Sequence, residues 1–571
     1  MIYDNKIWKK SWDPHVNDLD PKEWETTYLD SIKSTFEEFP DKVALAFIGL
    51  EITYKELDRY SNQFANMLIE TGFKKGDIVG INLPNIPEYV IALIGALKVG
   101  CIVSGVSPLS SSIQIQDQLE DLGSKGDKVA LVTLDALFEQ KILDISTKIT
   151  EVDLIIITNL ASFLPKVKRI MGKLTKNVPK GKVPFLKEKK VKFFHRHILD
   201  KYSSNPINTK VNVDDVAFIQ YSGGTTGPPK GAMITHRNAV ADMIITQKWL
   251  QWPRGTGVGL SGFPFFHIAG LFFCINMIYM AWTQVLIPNP RDTNYICKNI
   301  AKYKPTLLAN VPSLYQMLME NPKFNKLDHS SLTHCFSSAS PFPIESQQKL
   351  ENIIGAGKLV EAYGMTETSP LTTCNPRIGK KKLGSIGLPF NNLDLKLIDP
   401  ETREEVPIGK SGEICVRGPM VMKGYFNKPT ETKIAIDADG FMHTGDVAIM
   451  DEEGYLRIVD RVKDMIIVGG FKVFSTKLEK TLRKHPAIGL IATIGIENPE
   501  RPGSEIVKAF IQLKPSYKFD GNEKALKTDI INFAQDHCSP YEVPKIIEIV
   551  KEMPVTSVGK IDKIVLRKIE E

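Results

Sequence analysis

Short apolar runs alternate with amphipathic stretches from about Asp41 to Gly105, and again from Val216 to about Ile354. Strands place side chains with a period of two and helices with a period of 3.6, so a chain that switches between them belongs to the layered α/β class. In the first stretch ALAF and ITY read as strands, TYKELDRYSNQFANMLIETG as a helix stopped at Gly72, and DIVGINLPN as a buried strand entering a proline turn. A length of 571 residues exceeds what one hydrophobic core serves, so two or more domains are expected. Past about Leu383 the runs shorten to LDLKLID (393–399) and GEICVRG (412–418), with turns between. DRVKD (460–464) then precedes a fresh α/β pattern, which places a domain boundary at Lys463, with 1–462 on one side and 463–571 on the other.

Apolar residues make up 43% and charged residues 24%, an ordinary globular balance. The net charge of +6 is small for this length and gives no ground for a nucleic-acid partner. It is unevenly spread. Thirteen Lys or Arg stand against Glu188 and Asp200 within 166–201, a local +11 that leaves the rest of the chain at −5. That segment reads as a solvated surface insertion, or as a patch for anionic lipid headgroups or an anionic ligand. The seven cysteines (101, 274, 297, 335, 374, 415, 538) form no CxxC pair and read as free thiols in a reducing compartment. MIYDNKIWKKSWDP lacks the apolar run of a signal peptide, which points to a cytoplasmic protein, peripheral at most to a membrane. Val90–Val106 carries Lys98, and Leu271–Ile287 carries Asn276, Thr283 and Gln284. Both fall short of the ~20 apolar residues of a membrane span and are expected as core helices.

The most informative stretch is YSGGTTGPPKG, Tyr221 to Gly231, directly after the apolar run VAFIQ. Gly223, Gly224 and Gly227 let backbone N–H groups turn toward an anion with no Cβ in the way. Ser222, Thr225 and Thr226 add hydroxyl donors and Lys230 a point charge, a set suited to polyphosphate. The spacing is not that of a P-loop NTPase, which needs Gly-Lys-Ser/Thr. The run resembles the nucleotide-phosphate loop of the adenylate-forming superfamily, which includes acyl-CoA synthetases, peptide-synthetase adenylation domains and beetle luciferases.

Further motifs follow in that family's order. FPFFHIAG (263–270) resembles the motif whose histidine or aromatic, here His267, gates the acyl pocket. SSASP (337–341), with Ser338, Ala339 and Ser340, resembles the turn on which adenine packs, though it is more polar than usual. YGMTET (363–368) resembles the motif in which Tyr363 and Gly364 meet adenine, Thr366 the phosphate and Glu367 a Mg²⁺ ion, with Thr225 as a second metal contact. GEICVRGP (412–419) looks like the structural motif before the nucleotide site. In HTGDVA (443–448) Asp446 takes the ribose hydroxyls, and in DRVKD Arg461 is the second ribose contact and Lys463 the hinge. Lys560 in PVTSVGKIDK (554–563) matches the lysine that bridges carboxylate and phosphate. In GGFKVFSTKLE (469–479) Lys472 stands where other members carry Asn or Arg, and Phe474-Ser475-Thr476 replaces a proline-containing turn.

The resemblance implies a large N-terminal domain of layered α/β subdomains plus a small β-barrel-like part, with a small mobile C-terminal α+β lid. It implies an acid–thiol ligase that uses ATP, Mg²⁺ and coenzyme A and forms an acyl-adenylate on the way to acyl-CoA. Gly-Gly-Thr-Thr is familiar from fatty acyl-CoA synthetases, and the phenylalanines at 265, 266 and 272 favour a fatty or alicyclic acid over an amino acid. Three other readings stay open: an alicyclic or aromatic acid ligase, run forward or in reverse toward ATP; an acyl-AMP ligase loading a carrier protein; and a non-catalytic membrane-associated binding protein. Monomer and homodimer are equally compatible with the sequence.

Overall fold

A computed structural model describes residues 2–164, 179–222, 229–469, 471–499, 504–555 and 561–569. Its first sheet has eight strands in the order Gly424–Tyr425, Lys230–Thr235, Val216–Ser222, Ile102–Gly105, Ile78–Asn82, Val129–Leu134, Val152–Thr158 and Lys190–Phe193. The last six of these run parallel. The second sheet has nine: Leu388–Pro389, Leu371–Cys374, Leu359–Gly364, His334–Ser337, Leu307–Asn310, Val258–Ser261, Thr283–Val285, Val43–Phe47 and Leu50–Thr53. Its six middle members, from Leu359–Gly364 to Val43–Phe47, are also parallel. In such sheets ligands meet the carboxyl ends of the strands. Here those ends carry the 338–340 turn, Gly364 and, beyond Ser261, the FPFFH segment.

Helices fill the layers for local reasons. Thr53 and Glu56 form a reciprocal capping box that starts Tyr54–Glu70, and Gly72 at φ 86° follows its end. Pro87–Val99 is buried on nearly every face. Lys98, which interrupts that apolar run, is partly buried, and its Nζ reaches Asp58 Oδ1 (2.6 Å), Asn62 Oδ1 (2.7 Å) and Ser61 Oγ (2.9 Å) on the neighbouring helix. A partly buried charge paired and hydrogen-bonded in this way is tolerated in a core. The stretch 271–287 is not one helix. It divides into the end of Ile268–Tyr279 and the strand Thr283–Val285. No helix among the described residues is long and apolar enough to cross a membrane.

The expected barrel-like part is a four-stranded antiparallel sheet ordered Asp394–Ile398, Ser411–Arg417, Met442–Met450 and Leu456–Arg461. Beyond it, Ile466, Val473, Leu478, Ile488, Ile511 and Ile530 belong to a separate core built on Ile488–Glu497, Glu505–Leu513 and Ile546–Ile549. Polar contacts cross back over Lys463: Ser475 and Thr476 hydroxyls donate to Asp460 Oδ1 (3.1 and 3.0 Å).

The described part of the basic segment keeps most of its cations in solvent, Lys180, Lys182, Lys187, Lys190, Arg196 and Lys201 being exposed, while parts of it are built into the fold. Residues 165–178 lie outside the described residues. Lys190–Phe193 forms the outer strand of the first sheet, where lysines guard an exposed edge. Phe194 stacks on Phe64 with ring centroids 5.5 Å apart, and Lys189 Nζ donates to the carbonyls of Ile149 (2.7 Å) and Val152 (2.8 Å). All seven cysteines are free, and six are buried.

Glu361, on the strand leading to Tyr363, is buried, and its Oε2 accepts from Gln347 Nε2 (2.7 Å). Burial pushes its carboxyl up to about 7 from an ordinary 4.5. The folded state therefore holds the proton more tightly, and this contribution to stability, full below 4.5, is lost as pH rises to about 7. Urea titrations across this window are expected to show a flatter stability–pH curve for Glu361→Gln than for the parent.

Candidate active site

Lys230 opens the strand that pairs with Val216–Ser222, with Ser222 opposite Lys230 across the hairpin. Gly223, Gly224, Thr225, Thr226 and Gly227 lie outside the described residues. At the root of the hairpin the Tyr221 hydroxyl donates to Asp121 Oδ2 (2.6 Å). On its other side the Lys230 strand pairs with Gly424–Tyr425, in register Tyr425 to Ala232. This pairing puts the Lys230 ammonium over the Tyr425 ring, 5.2 Å from its centroid. The Tyr425 hydroxyl donates to Glu367 Oε1 (2.7 Å), so Lys230, Tyr425 and Glu367 form one group. Glu367 is 5% exposed. Burial raises its carboxyl above the ordinary range, against the opposing pull of Tyr425, Lys230 and Ser222.

Thr366 and Glu367 sit in a single 3₁₀ turn between Leu359–Gly364 and Leu371–Cys374. Pro370 O closes that turn, accepting from Met365 N (2.9 Å) and Thr368 Oγ1 (2.7 Å). Gly364 makes the closure possible, because a Cβ there would lie 1.7 Å from the same Pro370 oxygen.

A second group adjoins through Tyr363. Its hydroxyl donates to Asp446 Oδ2 (2.7 Å), and Asp446 Oδ1 pairs with Arg461 Nε (3.0 Å). Asp446 and Arg461 face each other on adjacent antiparallel strands, which is why residues fifteen apart in sequence meet. Each carboxylate oxygen keeps a further lone pair for a ligand hydroxyl. Burial and the Asp446 carboxylate push the Tyr363 phenol well up.

An apolar cavity of about 40 Å³ adjoins these groups. Its walls include Trp252, Phe263, Phe272, Met277, Phe336 and Leu371, and also Ser338 and Pro370, the residues next to the nucleotide motifs. Of the phenylalanines expected there, Phe272 is in the wall. Phe265 instead packs edge-on against Tyr89 (5.4 Å), and Phe266 lies with its backbone against Gly105. His267 caps the helix Ile268–Tyr279, its Nδ1 accepting from Ala269 N (3.3 Å). In the 338–340 turn Ala339 takes a left-handed φ of 71°.

Lys472 does not join the Tyr363 group: its Nζ pairs with Asp399 Oδ2 (2.9 Å) on the four-stranded sheet. Lys463 lies in the turn Val462–Asp464, where burial and neighbouring Arg461 lower its ammonium to about 8. Lys560 lies outside the described residues. Three features escaped the sequence reading. Tyr425 had only the turn Gly-Tyr-Phe-Asn as a signal, and strand pairing alone places it beside Lys230. Ser475 and Thr476, noted for replacing a proline turn, prove to tether the C-terminal core to Asp460. Glu413, Cys415 and His443 form a close group, with the Arg403 guanidinium hydrogen-bonded to Glu413 (3.4 Å) and within 3.2 Å of His443 Nδ1.

The profile of the AMP-binding enzyme family matches residues 32–426, and that of the AMP-binding enzyme C-terminal domain matches 477–560. The chain belongs to the AMP-binding enzyme family. It is 38% identical to a long-chain-fatty-acid–CoA ligase of Bacillus subtilis, over 96% of this chain and 94% of that one. A protein of the same name from Salmonella typhi is 34% identical, over 97% of each chain. Among solved structures, ATP-bound MatB from Rhodopseudomonas palustris superposes with a TM-score of 0.79 at 24% identity, covering 95% of this chain and 99% of that one. The anthranilate CoA ligase AuaEII in complex with anthranoyl-AMP gives 0.80 at 24%, covering 96% and 99%. At this identity the likeness is one of fold.

Gly364→Ala is expected to abolish the pyrophosphate-releasing half-reaction while costing about 1–3 kcal/mol of stability, as overpacking does. Pyrophosphate release and urea denaturation, measured together, check both parts.

Proposed function

We propose that the protein is an AMP-forming fatty acid–coenzyme A ligase. The observation that carries this reading is the cavity: its wall includes Ser338 and Pro370, so an acyl chain lying in it presents its carboxylate to the Thr366–Glu367 turn and Lys230. The names of the relatives that align along nearly the whole chain support a long-chain acid.

In the first half-reaction a carboxylate oxygen attacks the α-phosphorus of ATP, and the bond to pyrophosphate breaks. Tyr363 offers its ring to adenine, and Asp446 with Arg461 holds the ribose. Lys230, Thr366 and Lys560 stabilise charge on the phosphate oxygens without forming covalent bonds. Glu367, a buried hard oxygen donor among residues that meet phosphate, fits Mg²⁺, with Thr225 as the second contact. Bound there, the metal neutralises phosphate charge. In the second half-reaction the thiol of coenzyme A attacks the acyl carbon, AMP leaves, and the thiol proton goes to solvent. The boundary at Lys463 separates 1–462 from a lid, 463–571, whose rotation withdraws Lys560 and admits the thiol. Lys472 moves with that lid and contacts coenzyme A in its second position. The buried thiols accord with a cytoplasmic enzyme, and the lysines of 179–201 with a peripheral contact to anionic headgroups.

Incubation with Mg-ATP, coenzyme A and short, medium and long fatty acids, benzoate and cyclohexane carboxylate is expected to yield AMP and a thioester from long-chain acids. AMP without thioester would instead indicate carrier loading, and no turnover would sink the ligase reading. Lys560→Ala is expected to slow adenylation by at least about a hundredfold, the scale of one lost charge-stabilising group. The same variant should still convert added acyl-AMP to acyl-CoA, which separates loss of one step from loss of fold.

A further inference from the structure

Asn276 stands on the wall of the acyl cavity and is 1% exposed. Among the described residues neither its Nδ2 nor its Oδ1 has a hydrogen-bond partner. Two other buried asparagines, Asn310 and Asn391, leave one atom each without a partner among the described residues, and three more are bonded at both ends. Asn85 donates to Phe263 O and accepts from Phe265 N (both 2.8 Å), and Asn238 donates to Pro419 O (2.8 Å) and accepts from Thr235 N (2.9 Å). Asn375 donates to Ser385 O (3.1 Å) and accepts from Lys382 N (3.2 Å). A buried carboxamide with both ends open is thus an exception in this molecule, and it occurs in the one wall that an apolar ligand would cover.

Placement adds to the argument. Ala269, Phe272, Phe273, Asn276 and Met277 share one helical face, and that face lines the cavity. Asn276 lies about two turns beyond Ala269, and about 13 Å along the helix from His267. Thr246, also 1% exposed, is a second polar residue of the lining, with its hydroxyl beside the Asp242 carboxyl. The polar spot therefore lies well down the chain from the carboxylate end, between apolar side chains.

Building on the ligase reading, we propose that Asn276 is a specificity-determining residue and that the cavity takes fatty acids carrying a hydroxyl well away from the carboxyl group. A hydroxyl both donates and accepts, so it satisfies Oδ1 and Nδ2 together. A ketone accepts only and leaves Oδ1 open, and an unsubstituted chain leaves both atoms buried and unpaired. Sites with buried polar groups discriminate against ligands that cannot pair them, here by roughly tenfold or more.

The test is kcat/KM for acyl-CoA formation by the full chain, with octadecanoic acid and its hydroxy and oxo isomers substituted at successive carbons from mid-chain outward. The parent is expected to favour a hydroxy isomer over octadecanoic acid by roughly tenfold, with the matching oxo isomer between them. Asn276→Leu should remove that preference while keeping or raising the value for octadecanoic acid. An octadecanoic acid value equal to or above every oxygenated isomer in the parent would overturn the proposal. So would an Asn276→Leu variant that loses all acids in proportion. The parent panel decides the matter even if the variant does not fold. Thioester from none of these acids would overturn the ligase reading itself, and this inference with it.

Discussion

A carboxylate held at 5% exposure has to be stabilised by whatever surrounds it, and the surroundings of Glu367 organise much of the site. The Tyr425 hydroxyl reaches it, and Tyr425 is placed by a two-residue strand pairing with the strand that Lys230 opens. Met422 N donates to the Glu367 carbonyl (2.9 Å), fixing the turn from the same side. Behind the turn, Gly364 lets Pro370 O approach closely enough to lock Thr368 and Met365. Three chain segments more than fifty residues apart thus converge on one acidic group, and the first sheet is joined to the second through it.

Much of this was legible along the chain because it is local. The apolar runs at 43–47 and 78–82 became buried strands, and the capping pair Thr53–Glu56 starts the helix that its apolar spacing predicted. The phosphate, adenine and ribose motifs resemble a known family and flank one another in space. What the sequence concealed depends on pairing over distance. Nothing near Tyr425 announces Lys230, and nothing near Ser475 announces Asp460. Asn276 read only as a polar interruption of an apolar run, since satisfaction of its carboxamide is a property of its neighbours. In the basic segment charge density correctly suggested solvent for most lysines, but it hid the sheet edge taken by 190–193 and the partner that Phe194 finds in Phe64.

Electrostatics in the site follow from dryness. The Tyr363 phenol and the Glu367 carboxyl are both displaced upward by burial, and the Lys463 ammonium downward. Each shift favours the neutral form before substrates arrive. In the proposed reaction a metal held at Glu367 would favour its carboxylate form, because an opposite charge there is poorly screened by water.

The links across Lys463 differ in their distance from it. The hydroxyls of Ser475 and Thr476 bond to Asp460, three residues from the turn, whereas Lys472 pairs with Asp399 at the end of the opposite edge strand. In the four-stranded sheet, Asp394–Ile398 is three strand spacings from Leu456–Arg461, roughly 14 Å. In the lid rotation proposed about Lys463, the Asp460 links lie nearer the pivot than Lys472–Asp399. Under that proposal Lys472–Asp399 acts as a detent, a small partly exposed and salt-screened catch that resists the start of a swing and contributes nothing once it is under way.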